Sequence, residues 1–296
     1  MATKEKGKPD QTAKPTRAKR AKAGSKADTA TTDLLAVLVI DMSGSMGGVR
    51  DAVVESFNSY LKDLKDDEEG ETFCTLVVFD DNYEPWSVAE PIANVAFLDG
   101  RYTPRGMTAL NDAIAKSISD TEAKLREMGR SDMKVLHVTV TDGGENASQE
   151  YRGANQGGDG EARLAKLVSS YEAKGNWTFV LLGANQDAHE TGMLRGYSPG
   201  ATANYTSDSA TYSTVGASLS AMAMNRRGSG QMASATPFAD AGVSQEISGG
   251  SDYGNVGGDP GNVSGIVHPT TSSLKKPDAP SSGLTSKSLS DLFGGK

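Results

Sequence analysis

The sequence predicts an α/β domain: a doubly wound, mostly parallel sheet with helices on both faces and one antiparallel edge strand. Three observations predict it. Leu34–Ile40 is a continuous apolar run of strand length, as expected for a strand buried on both faces. Segments with apolar residues at helical spacing alternate with further strand-length segments, and that alternation builds parallel sheets. One link, Asp80-Asp81-Asn82, is too short for a crossover, so the strands it joins must run antiparallel.

Taken in order, the first strand is Leu34–Ile40, and a helix follows with Val53, Phe57, Tyr60, Leu61 and Leu64 on one face. Phe73–Phe79 reads as the second strand, and a third is expected around Trp86–Val95. Leu110, Ile114 and Ile118 mark a second helix, and Val135–Val140 a strand. Leu164, Leu167, Val168 and Tyr171 mark a third helix before the strand Trp177–Leu182. A short strand around Ala203–Thr206 precedes a helix carrying Val215, Leu219 and Met222. In such folds ligands bind beyond the carboxyl ends of the strands.

Composition narrows the function. The chain has 296 residues, 36% of them hydrophobic, with 34 glycines that show no three-residue period. That excludes global disorder and a collagen-like rod. One cysteine excludes an internal disulfide framework. The longest apolar run falls far short of the roughly 20 residues that span a membrane. No basic-then-apolar-then-cleavage pattern opens the chain, so no secretory signal is expected and a reducing cytoplasm is the expected compartment. Residues 1–31 hold nine basic and three acidic groups, a local charge of +6, against a net −8 for the whole chain. A basic, disordered arm therefore precedes an acidic body, and such an arm is suited to a polyanion such as nucleic acid. Residues 32–228 are the expected domain, and 229–296, rich in Gly and Ser, the expected flexible tail.

The chemistry gathers at strand ends. The first strand runs into Asp41-Met42-Ser43-Gly44-Ser45, one carboxylate and two hydroxyls at alternate positions. Thr108 stands just before the second helix, and Asp142 just after the Val135–Val140 strand. Asp41, Ser43, Ser45, Thr108 and Asp142 offer only oxygen ligands, which suit a hard cation, Mg²⁺ or Mn²⁺, over zinc. Helix capping would explain each hydroxyl singly but not their joint placement with two acids. A phosphoryl-transfer reading, with Asp41 as nucleophile, lacks the usual carboxylate two residues on, where Ser43 stands.

These residues resemble the von Willebrand factor type A family and its metal-ion-dependent adhesion site, an Asp-x-Ser-x-Ser motif with a distant Thr and a distant Asp. The resemblance covers roughly residues 32–227. It implies a Rossmann-like fold and metal-dependent binding of a protein partner whose Asp or Glu completes the metal shell, without catalysis. The stretches Tyr102–Leu110, Thr141–Ser148 and Leu182–Asp187 are similar to those of small bacterial and phage members. A phage source would place the chain in host cytoplasm or a virion, and a scaffold acting through its tails is the alternative function.

Other candidates carry less. Asp187, His189 and Glu190 form a cluster that could hold a second metal, though a helix cap and a solvated histidine account for it as well. His137 and Cys74 lie mid-strand and read as core residues. Leu289, Leu292 and Phe293 form an apolar island of the kind that orders on docking.

Overall fold

The computed structural model describes residues 33–184, 188–205, 209–228 and 234–247. Seven strands form one sheet, β1 (Leu34–Asp41), β2 (Thr72–Phe79), β3 (Tyr83–Pro91), β4 (Lys134–Thr141), β5 (Trp177–Ala184), β6 (Thr202–Tyr205) and β7 (Glu246–Ile247). Six helices accompany them: α1 (Arg50–Asp66), α2 (Leu110–Glu127), α3 (Gly160–Glu172), α4 (Ala188–Leu194), α5 (Ser209–Gly228) and α6 (Pro237–Asp240). The strand order is β3-β2-β1-β4-β5-β6-β7. Every pairing is parallel except β2 with β3. This is the expected Rossmann-like α/β fold with its antiparallel edge.

The two-residue period of a strand divides β1 between two cores. Leu34, Ala36, Leu38 and Ile40 pack with Phe57 and Leu61 of α1, Val215 and Leu219 of α5 and Phe238 of α6. Leu35, Val37 and Val39 pack with Leu110, Ile114 and Ile118 of α2, Leu164 and Val168 of α3 and Ala188 of α4. All eight residues of β1 are buried, which is why its sequence is apolar without alternation. The helix after β1 lies on one face and the helix before β4 on the other. The crevice between the ends of β1 and β4 is therefore the point where the winding changes direction.

Boundaries differ from expectation in three places. The third strand ends at Pro91, which lacks a donor for the ladder, and a single 3-10 turn, Ile92–Asn94, follows. The β6 strand begins at Thr202, and Thr206 lies outside the described residues. Past residue 228 the chain returns to the fold: Phe238 of α6 is buried and β7 pairs with β6. One buried aromatic in a Gly/Ser-rich context has no period that would announce it. Residues 1–31, Asp187 and the Leu289–Phe293 island lie outside the described residues. Among those described, no helix is long and apolar enough to cross a membrane.

Cys74 is buried, and burial pushes its thiol up to about 12. His137 is also buried, with Nε2 2.9 Å from Ser117 Oγ and its ring centroid 5.0 Å from that of Phe179. Burial lowers its pKa from the ordinary 6.5 to about 3. Between these values the folded chain binds fewer protons than the unfolded one. This contribution is fully present above the unfolded value, and is lost as pH falls towards the folded one by about 1.4 kcal/mol per pH unit. His137→Leu should remove that slope: urea unfolding near pH 7 and near pH 5 should give a smaller stability difference in the variant than in the parent. Equal differences would refute a buried neutral ring.

Candidate metal centre

All five oxygen-bearing residues singled out in the sequence come to the carboxyl edge of the sheet. Asp41 is the last residue of β1 and is fully buried. Ser43 and Thr108 are buried beside it, Asp142 is half-buried, and Ser45 is exposed. The cluster thus has a closed floor and an open rim.

The floor is built by hydrogen bonds to the Asp41 carboxylate. The Ser43 amide donates to Oδ1 at 2.7 Å, closing a tight turn straight after the strand. Thr141, the last residue of β4, donates its hydroxyl to Oδ2 at 2.7 Å. Tyr102 donates its buried hydroxyl to the Asp41 carbonyl. Burial pushes the Asp41 carboxyl up to about 6, raised further by the charge of Asp142 and opposed by the bonds from Thr141 and Ser43.

The rim is a relay of hydroxyls. Ser45 donates to Asp142 Oδ1 at 2.7 Å, and Ser43 Oγ lies 3.0 Å from Ser45 Oγ. Thr108 lies beside Gly143. A β-carbon on Gly143 would lie 3.2 Å from Thr108 Oγ1, 3.6 Å from Ser45 Oγ and 3.9 Å from Asp41 Oδ2. Glycine at this position keeps open the space on which three of the five side chains converge.

Backbone bonds stitch the contributing loops together. Gly44 N–H donates to the Gly106 carbonyl at 3.2 Å and Arg105 N–H to the Met42 carbonyl at 2.8 Å. Gly106 has φ +70°, a left-handed backbone conformation that favours glycine. Tyr102, Thr141 and Gly143 were not assigned roles in the sequence. A threonine ending a strand reads as an ordinary strand residue, and only the parallel register of β1 with β4 reveals its partner.

The donor set is two carboxylates and three hydroxyls. That composition fits a hard divalent cation, and three of these oxygens lie within 3.9 Å of one point beside Gly143. Among the described residues no group of three or more His, Cys, Asp or Glu side chains gathers as a metal site. Of the second cluster, His189 accepts or donates a hydrogen bond at Thr202 Oγ1, and Glu190 is exposed on α4.

No family model matches the chain, and no curated protein matches it. Solved structures with a similar fold include a von Willebrand factor type A protein from Catenulispora acidiphila, at 19% identity and TM-score 0.48, covering 65% of this chain and 43% of that one. Another is proximal thread matrix protein 1 from the mussel byssus, with a zinc-occupied MIDAS motif, at 17% identity and TM-score 0.45, covering 64% and 45%. A third is the PilB minor pilin from Streptococcus sanguinis, at 12% identity and TM-score 0.48, covering 65% and 61%. The chain spans less than half the length of the first two. The arrangement of the site rests on this chain's own strand order and contacts.

Thr141→Val removes the hydroxyl that satisfies a buried carboxylate oxygen while keeping a strand-forming shape. Urea unfolding at neutral pH should show a loss of about 1–3 kcal/mol. An unchanged midpoint would mean that Asp41 Oδ2 is satisfied without Thr141.

Proposed function

We propose that this chain is a type A-like binding module that holds Mg²⁺ or Mn²⁺ at Asp41, Ser43, Ser45, Thr108 and Asp142 and captures a protein partner through a partner Asp or Glu. The observation that carries the reading is the convergence of Asp41, Ser45 and Thr108 oxygens on the space that Gly143 leaves open. In this reading Asp41 and Asp142 neutralise a divalent charge, and the three hydroxyls bind it without adding more. A cation so held supplies an electrophilic position to which an outside carboxylate can bond.

The chain's own residues do the rest. Thr141, Ser43 and Tyr102 hold Asp41 in place from below. Exposed Ser45 and half-buried Asp142 leave the upper side accessible to a partner. A pair of buried-floor oxygens with an open rim supports binding from outside more than a closed structural ion. The basic arm, residues 1–31, is proposed as a second contact, with a polyanion, whose affinity would fall steeply with salt.

The test is calorimetric titration of Mg²⁺ and Mn²⁺ into the full chain, with and without acetate as a minimal carboxylate. Saturable binding is expected in the parent, tighter with acetate. Asp41→Ala should abolish it. Gly143→Ala should weaken it at least about tenfold while the chain still unfolds cooperatively, because its backbone lies outside the left-handed region. A parent chain that binds neither ion, with or without acetate, would overturn the reading.

A further inference from the structure

The 144–148 segment does more than follow Asp142. Glu145 is buried, and its carboxylate accepts four hydrogen bonds. Oε1 takes the amides of Ala147 and Ser148 at 3.0 and 2.8 Å. Oε2 takes the Ser148 hydroxyl at 2.7 Å and the Asn111 amide of α2 at 2.8 Å. Ser148 Oγ in turn accepts the Asp112 amide at 3.0 Å. The first turn of α2 has Ala109 at its cap position, with no capping side chain of its own. Its free amides are satisfied by a loop more than thirty residues away. Asp112 answers in the other direction, its carboxylate accepting the amides of Gln149, Glu150 and Tyr151 at 2.8, 3.2 and 2.7 Å.

Asn146 makes a different contact. Its side-chain Oδ1 accepts the Thr108 amide at 2.8 Å. The amides of Asn146 and Ala147 donate to the Thr108 carbonyl at 3.0 and 3.1 Å. Both polar groups of the Thr108 backbone are therefore held by residues 146 and 147. Thr108 stands outside α2, so capping the helix does not require this grip. What the grip fixes is the position of the Thr108 hydroxyl relative to Asp142, four residues before Asn146.

From this geometry we infer that Glu145 and Asn146 are positioning residues of the metal site. Glu145 anchors the loop to the first turn of α2, and Asn146 sets Thr108 against the Asp142 side. The assignment rests on the metal-binding reading above. These hydrogen bonds tie the two contributing loops to each other and to α2. Partners of this kind, hydrogen-bonded to the residues that touch a metal, typically alter affinity by about 10–100-fold when removed.

Asn146 is exposed, so its replacement leaves the core untouched. The experiment is Mn²⁺ titration into the full chain carrying Asn146→Ala or Asn146→Asp, beside the parent and Val168→Ala. The last is a core substitution in α3 that lowers stability away from the site. Hydrogen exchange at the Thr108 amide is measured on the same proteins without metal. Asn146→Ala should weaken Mn²⁺ binding by about 10–100-fold and speed Thr108 exchange. Asn146→Asp keeps the acceptor oxygen and should restore both. Val168→Ala should change neither, which separates positioning from loss of stability. A parent that binds Mn²⁺ and an Asn146→Ala variant that binds it equally well would overturn the positioning role and leave the metal reading standing. A parent that does not bind Mn²⁺ would overturn both.

Discussion

One buried carboxylate constrains much of this structure. Asp41 is fully buried at the end of a central strand, and an ionised acid there is costly unless it is hydrogen-bonded or paired. Its two oxygens are served from two places, the turn that begins at Met42 and the end of β4. The turn must close within two residues, and β4 must lie parallel to β1 in the observed register, with Ile40 level with Val140. A slip of one residue would turn Thr141 to the other face and leave Oδ2 without its donor. The requirements of one acid thereby specify a turn, a pairing and a register.

The architecture supplies the place where such an acid can stand. The chain leaves β1 for one face of the sheet and reaches β4 from the other, so a crevice opens between their ends. Loops fill it, and hydrogen bonds tie the loops to one another. The Gly44 and Arg105 amides join the first loop to the Thr108 segment. Glu145, Ser148 and Asp112 join the Asp142 loop to α2. Five side chains that are distant in sequence share one edge because each loop is tied to the next.

Much of this was legible in the residues. The apolar run at Leu34–Ile40 announced a strand buried on both faces. The alternation of strands with helices announced a parallel sheet, and the Asp80–Asn82 link announced its antiparallel edge. The gathering of five oxygen-bearing residues at one sheet edge was legible because their types and positions matched no simple core pattern. What escaped notice depends on three-dimensional register. Thr141 looks like any strand threonine until its partner across the sheet is known. Gly143 looks like turn punctuation until the oxygens around its missing side chain are placed. Phe238 and β7 escaped because one buried aromatic and a two-residue strand leave no period to read. The C-terminal limit of β3 was misplaced because Pro91 ends the ladder while the apolar pattern runs on through Ile92 and Val95.

The division of the site into floor and rim bears most directly on function. Had the cluster served only to knit loops together, burial of all five side chains would have strengthened every bond in it. Instead the relay from Ser43 through Ser45 to Asp142 climbs from a buried hydroxyl to an exposed one. Gly143 and Gly144 flank the rim with no side chains to roof it. The strong constraints all lie beneath, on Asp41 and on the Thr108 backbone, where they hold oxygen donors still. The upper side is left to solvent. A site ordered from below and open above is consistent with the proposed capture of an outside carboxylate.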